Sequence, residues 1–382
     1  MKIVIVGAGA SGIYLSLLLK RTYPSEDINV YEASDKVLTK VKASGNGRCN
    51  INNKIDDINA YNHPSFVKPL FEKYPYEVQE KELLSLNIAT KELNDNLLYP
   101  LSESGHNVKT ILLNEANKLG VKIHLNKVFT SYEIKGGRIS VTFNENETFI
   151  CDRLVFACGT HASFKNSKSS LVFNELKRHG YDIVPLQAGL TPIYVKEDVR
   201  RMQGERVKGI FTSKDGAFNM HQEVGEVLFK RDGLSGIAMF NISSFLARNN
   251  IKTADISFSL MHDKVKLFND ICKQSEDPLI SFFPKEVAGY IYSLVDDKKD
   301  VKKIGQALLE LSFTYNGNYS ADNAQVCIGG VNINNINNLT LESNIEKHVF
   351  FMGEMIDIDG YCGGFNLKWA LVSALAVKDN IK

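Results

Sequence analysis

The chain opens on Ile3 to Val6, a β-branched run without a polar position. An apolar run that short reads as a strand covered on both faces, as in a parallel sheet. Gly7, Gly9 and Gly12 follow, then Ile13, Leu17 and Leu18 at helical spacing. A second run, Ile28 to Tyr31, ends at Glu32, and two more strands are predicted at Arg153 to Phe156 and Val349 to Met352. A last helical stretch runs from Leu367 to Val377. The middle of the chain has another rhythm. Thr191 to Leu260 shows short alternating runs with glycine turns and few helical stretches, the pattern of short β-strands. Lys264 to Thr314 returns to helical spacing, with Val265, Phe268 and Ile271, then Ile304, Leu308 and Leu311.

The segment GAGASG from Gly7 to Gly12 is a GxGxxG match set between a strand and a helix, with Glu32 twenty residues beyond it. That spacing predicts a dinucleotide site, each glycine with its task. Gly7 permits the tight turn, Gly9 lets backbone approach a pyrophosphate, and Gly12 lets helix and strand pack closely. The helix N-terminus offers free N–H groups to phosphates. Glu32 can accept both hydroxyls of an adenosine ribose. It would repel a 2′-phosphate by about 4 kcal/mol at 4 Å and an effective dielectric near 20, which argues against NADP here. FAD and NAD both remain open at this point.

At 382 residues, two or three domains are expected. With 44% apolar and 23% charged residues the composition is that of a globular chain. Lys plus Arg at 45 against Asp plus Glu at 44 excludes a nucleic-acid reader working by bulk electrostatics, and also disorder. The six cysteines include no CxxC pair and fit neither a zinc ribbon nor a disulfide scaffold, so a reducing cytoplasm and no metal site are expected. The first twenty residues superficially resemble a signal peptide; the fixed glycine offsets favour strand, turn and helix instead. No membrane association and no nucleic-acid partner are expected, and the oligomeric state is open.

Three later segments bear on the nucleotide. In KASGNGRCNINN, Lys42 to Asn53, Gly45 and Gly47 flank Asn46 and Arg48 follows, a loop that presents N–H groups and a guanidinium to an anion. In RLVFACG, an apolar strand ends in Ala157, Cys158 and Gly159. After Val349 to Met352 come Gly353 and Glu354, then GYCGGFN, Gly360 to Asn366. A glycine–acid pair and a glycine-opened helix suit a flavin. The acid can bond ribityl hydroxyls, and the helix N-terminus can face the N1/O2 edge of the ring and favour its anionic reduced form.

Together these motifs resemble the bacterial FAD-dependent NAD(P)/FAD oxidoreductase family labelled aminoacetone-oxidase-like, which includes dehydro-bile-acid reductases. SGNGRCNINN resembles its SGxGRCNxTN element; YPLSESGHNV, GLSGIAMFNIS, QVCIGGV and GEMIDIDGYCGGFNLKWALVSA resemble four further elements in the same order. The resemblance implies an α/β fold, a Rossmann-like FAD-binding domain interrupted by an insert of a small β-barrel and a helical subdomain. The expected boundaries are 1–187 and 327–382 for the FAD domain, 188–260 and 315–326 for the barrel, and 261–314 for the helices. The candidate cofactor set is Gly7, Gly9, Ala10, Ser11, Gly12, Glu32, Ala33, Lys40, Ser44, Gly45, Gly47, Arg48, Cys49, Asn50, Val128, Ala157, Cys158, Gly159, Gly353, Glu354, Gly363, Gly364, Asn366 and Leu367.

Two departures stand out. The family's glycine-rich stretch after the second dinucleotide strand reads CGTHASFKNSKSS here, Cys158 to Ser170, and Ile237 replaces a proline. The expected activity is hydride transfer between tightly, non-covalently bound FAD and a small organic substrate. Without a second GxGxxG, NAD(P)H is a candidate transient donor. The alternative is a flavin-binding regulatory or interaction protein with little turnover. No catalytic residue is assigned: His106, His161 and His221 are loop candidates, Tyr361 could face substrate, and Cys49 is expected to pack beneath its loop.

Overall fold

A computed structural model describes residues 1–93, 96–162, 168–261, 264–297 and 299–382, with Glu310 described by its backbone alone. The centre of the Cys158 to Ser170 stretch therefore lies outside the described residues. The chain divides into two compact units, Met1–Gln187 with Val326–Lys382, and Ala188–Gln325.

The first unit is built on a five-stranded sheet: β1 (Lys2–Val6), β2 (Asp27–Tyr31), β3 (Lys122–His124), β4 (Arg153–Phe156) and β5 (Val349–Phe351), in the order β5-β4-β1-β2-β3. Every pairing is parallel. The register pairs Val6 with Tyr31 and with Phe156, and Phe156 with Phe351. The carboxyl ends of these strands are therefore level, and the chain leaves them at Gly7, Glu32, Ala157 and Met352. Between β1 and β4 the strand order reverses, which is where open α/β sheets bind ligands. Sequence motifs as far apart as Gly7 and Gly353 converge here because the register aligns their strands.

Helix α1 (Ala10–Thr22) follows the glycine turn and is apolar nearly all round, because it is covered by the sheet, by α2 (Gly105–Lys118) and by α3 (Phe365–Asn380). Ile13, Leu15, Leu17 and Leu19 on α1 and Trp369, Val372 and Leu375 on α3 are buried in one core with the strands. The glycine-opened helix starts at Phe365 and runs past Val377 to Asn380.

The second unit contains a closed barrel whose strands follow one another as Ile193–Val195, Gly233–Ser235, Phe218–Phe229, Arg206–Asp215, Asp255–Ser259 and Leu311–Asn318. Two features differ from the sequence reading. A helix, Ile237–Arg248, lies within the barrel segment, launched by Gly236 at φ 107°. A Cβ there would lie 2.5 Å from the Glu226 carbonyl oxygen. The returning strand begins at Leu311 rather than at 315. Leu311 continues the spacing of Ile304 and Leu308, but Leu311, Phe313 and Tyr315 alternate inward and close the barrel. The helices Val265–Cys272, Lys285–Ser293 and Val301–Glu310 share one buried core with the barrel, through Phe268, Ile291, Ile304, Phe258 and Phe313.

Candidate cofactor site

The turn after β1 is held by close backbone packing. Gly7 has φ 111°, and a Cβ there would lie 2.4 Å from the Cys158 Cα and 2.6 Å from the Ala157 carbonyl oxygen. A Cβ on Gly12 would lie 2.1 Å from the Gly7 oxygen. Gly9 differs. The nearest protein atom to its Cβ position is the Ala157 oxygen at 4.0 Å, and its φ of −76° suits any residue. The packing of the protein itself imposes no glycine at position 9. Gly9 caps α1 without a side-chain hydrogen bond, and no acid stands in the first turn, Ala10–Gly12. Those N–H groups have no intrahelical partners and form a ready anion site.

Glu32 is tied into this turn. Its Oε2 accepts from the Ala8 N–H at 2.9 Å, while Oε1 accepts from the Ser34 N–H and hydroxyl, both at 3.0 Å. Each carboxylate oxygen has two lone pairs, so capacity remains for a ribose hydroxyl. Ala33 is half-buried beside it. Val128 has its N–H on Asn144 Oδ1 at 3.0 Å and its carbonyl on the Asn144 N–H at 2.8 Å. Its neighbour Lys127 bonds the Glu32 carbonyl at 2.8 Å.

On the other side of β1, Glu354 ties three other segments to its own. Its Oε2 pairs with Lys40 Nζ at 2.6 Å; its Oε1 accepts from the Thr160 hydroxyl at 2.5 Å and the Cys327 N–H at 2.8 Å. Gly159, with φ 62°, lies against this carboxylate, and Gly353, with φ 59°, lies against Ser11 of α1.

The loop from Ser44 to Asn53 packs on the entry to α3. Gly45, Gly47 and Cys49 have φ of 56°, 83° and 62°. Ser44 bonds the Val41 carbonyl through its hydroxyl, at 2.9 Å, and accepts from the Cys49 N–H at 2.9 Å. The Asn50 amide accepts from the Gly364 N–H at 3.0 Å and donates to the Asn52 and Leu98 carbonyls at 3.0 and 3.1 Å. Asn53 donates to the Gly363 carbonyl at 2.9 Å. Gly364 has φ 91°, and a Cβ would lie 2.4 Å from the Asn52 oxygen. Like α1, α3 begins with no side-chain cap and no acid in its first turn, Phe365 to Leu367.

Several expected residues have other partners. Arg48 donates from Nε to Glu103 at 2.7 Å and stacks over the Tyr99 ring at 4.9 Å. Asn366 locks the preceding turn by two 2.9 Å hydrogen bonds with Gly360. His106 lies on α2 and is exposed; His221 lies on a barrel strand, 2.7 Å from Glu223. Neither is a loop residue. Cys49 is fully buried, and burial pushes its thiol up to about 11. Cys158 touches the Met355 sulfur at 3.1 Å.

Sequence reasoning passed over three side chains. Lys368 is fully buried one turn into α3 and donates to the Asn53 and Ile55 carbonyls at 2.8 and 2.9 Å and to Asp56 at 2.5 Å. Asp357 and His63 pair at 3.1 Å. A buried lysine inside an apolar helical run was the available signal for the first; no sequence spacing joins His63 to Asp357.

Two uncapped helix N-termini, two carboxylates and a turn opened by Gly9 meet at the carboxyl edge of one parallel sheet. This donor set fits a dinucleotide carrying a second anionic centre. Residues 1–380 match the family described as HI0933-like protein Rossmann domain. The chain belongs to this family. Among relatives of this HI0933-like chain is the 3-dehydro-bile acid delta(4,6)-reductase of Clostridium scindens, 26% identical over 402 residues that cover 97% of this chain and 96% of that protein. The ribosomal RNA dihydrouridine synthase of Escherichia coli is 24% identical over 399 residues, covering 99% and 97%. A solved 3-ketosteroid delta1-dehydrogenase from Sterolibacterium denitrificans shares the fold at a TM-score of 0.54, with 10% identity and coverage of 99% and 98%. The HI0933-like chain is an FAD-binding oxidoreductase. Among the described residues no helix is long and apolar enough to cross a membrane.

Proposed function

We propose that this flavoenzyme saturates a carbon–carbon double bond conjugated to a carbonyl in a small organic molecule. FAD would be held tightly but non-covalently, and NAD(P)H would be the transient donor. One observation carries the reading: α1 and α3 both present uncapped N-termini at the sheet edge. A nicotinamide dinucleotide needs only the first, for its pyrophosphate. A flavin uses the second as well, because the reduced ring is anionic. The reaction class is supported by two relatives that span nearly the whole chain. Their names describe hydrogen added across a double bond near a carbonyl, in a steroid acid and in uracil.

In this reading α1 binds the pyrophosphate, Glu32 the adenosine ribose, and Glu354, held by Lys40 and Thr160, the ribityl chain. The single GxGxxG is taken by FAD, so the nicotinamide donor has no dinucleotide fold of its own. A small molecule is preferred to RNA because the formal net charge is +1. The dihydrouridine synthase favours RNA uracil as the second reading.

The purified protein should be yellow, and acid precipitation should free all of its flavin. Anaerobic NADH or NADPH should bleach the bands; persistence with both would remove the donor. The reduced protein should then be reoxidised by 2-cyclohexenone or by a 3-oxo-Δ4 steroid. Reoxidation only by unmodified ribosomal RNA would establish the second reading. A colourless protein that takes up no FAD would overturn the site.

A further inference from the structure

A carbonyl-conjugated double bond takes up a hydride and a proton, so a proton donor is required besides the flavin. We infer that His63 is that donor and that Asp357 positions it; this rests on the function proposed above. Three segments of the first unit build the pair. Asp357 follows β5 by six residues, and its carboxylate is nearly enclosed, at 8% exposure. Its Oδ1 accepts from the Gly329 N–H at 3.1 Å, and its Oδ2 faces His63 Nε2 at 3.1 Å. Gly330 leaves no room for a side chain, since a Cβ would lie 2.7 Å from the Met355 oxygen. Asn62 fastens the histidine segment, donating to the Asp357 carbonyl at 2.9 Å and accepting from the Asp359 N–H at 3.1 Å.

The His63 ring is 33% exposed, the open member of an otherwise buried set. With Nε2 turned to the carboxylate, Nδ1 points away, and no hydrogen-bond partner faces it among the described residues. The Tyr61–His63 segment runs antiparallel along Asp359–Tyr361, through a bridge between Tyr61 and Gly360 and a 2.9 Å bond from the Tyr361 N–H to the Ala60 carbonyl. Glu354 lies just before the strip it covers and the Gly363–Gly364 opening of α3 just after, so His63 stands beside the stretch that joins the two proposed flavin contacts.

The step balances. A hydride forms the C–H bond at the carbon β to the carbonyl, and the π pair moves onto the α-carbon and carbonyl oxygen. The charged imidazole passes its Nδ1 proton to the α-carbon, forming the second C–H bond. The hydride and its two electrons are what bound reduced flavin would supply; the imidazole ends neutral and regains a proton from water. Asp357 accepts from Nε2–H throughout, which keeps the transferable proton on Nδ1.

The test uses holoenzyme reduced anaerobically with dithionite, mixed with whichever enone probe the wild type reduces. Reoxidation of His63→Gln should slow about a hundredfold. His63→Asn replaces His63→Gln if the latter loses its flavin. Independently of turnover, 15N spectra of histidine-labelled apoprotein should show neutral His63 protonated on Nε2, with the two tautomers mixed in Asp357→Asn. A His63 variant that retains flavin and reoxidises at the wild-type rate overturns the donor role alone, as does an Nδ1–H tautomer in the wild type. A wild type inert toward every probe overturns the function and the donor role together.

Discussion

At the scale of the residue, Gly9 and Gly12 separate what the fold needs from what the ligand needs. Gly12 abuts the Gly7 oxygen, and backbone cannot yield as a side chain does. Gly12→Ala should therefore cost about 1–3 kcal/mol, read as a lower denaturation midpoint, with flavin lost as well. Gly9 has room and an ordinary φ. Gly9→Ala should leave the midpoint of the apoprotein unchanged and weaken FAD binding, measured by titration of the apoprotein. Equal loss of both properties in Gly9→Ala would mean that position 9 is structural. The buried cysteines set a limit at high pH. Burial raises Cys49 and Cys327 from 9.0 to about 11 and Cys151 from 9.0 to about 12. The folded state holds these protons more tightly than the unfolded chain. Their contribution is complete below pH 9 and is lost as the pH rises toward 11 and 12. Denaturant midpoints across pH 8 to 11 should fall, and serine at positions 49 and 327 should flatten the decline.

At the scale of the element, the start of α3 is where charge and cofactor meet in the proposed reading. An aspartate in the first turn normally stabilises a helix, by about 0.3–1 kcal/mol. At position 367 that gain is outweighed by the loss of a leucine packed against the core, so Leu367→Asp should lower the melting temperature of the apoprotein. It should also make the flavin midpoint potential more negative, because the added charge opposes an anionic reduced ring. A potential that stays put would remove the ring from α3. Lys368 locks the same helix to the Asn53–Asp56 backbone. Burial pulls its ammonium below the usual lysine range, against the opposing pull of Asp56. Lys368→Met would leave the Asn53 and Ile55 carbonyls without their donor and Asp56 without its cation, though Asp56 keeps its bonds from the Tyr76 N–H and the Gln79 amide. A loss of about 3 kcal/mol is expected in urea unfolding, with flavin released early because the loop carrying Gly45 and Asn50 loses its anchor.

At the scale of the molecule, the insert is an excursion with its own core. Residues 188–325 are continuous and contain a closed barrel, and the strands on either side, Ile183–Gly189 and Val326–Val331, pair with one another. Replacing 188–325 by a short glycine linker should leave a first unit that unfolds cooperatively and still binds FAD. The isolated insert should fold without flavin. Calorimetry and flavin absorbance check both; a first unit that fails to fold would show that its core depends on the insert.

The local pattern of the chain settled the turn after the first strand. Ile3 to Val6, three glycines and Glu32 at fixed spacing are a strand, a turn and a helix start, and short-range sterics leave such a segment few conformations. Short strands in the middle of the chain and the helical stretch after them were legible in the same way, from periods of two and near four; that the strands form a barrel came from the family resemblance. Leu311 was not legible, because it satisfies both periods and only barrel closure chooses between them. Side-chain partners were the least legible. Arg48 faces Glu103, Asn366 faces Gly360, and His63 faces Asp357 from 294 positions away. A turn is decided by torsions within a few residues, and those are written in sequence. A hydrogen bond between distant segments is decided by which strands align in the sheet, and only the tertiary structure carries that register.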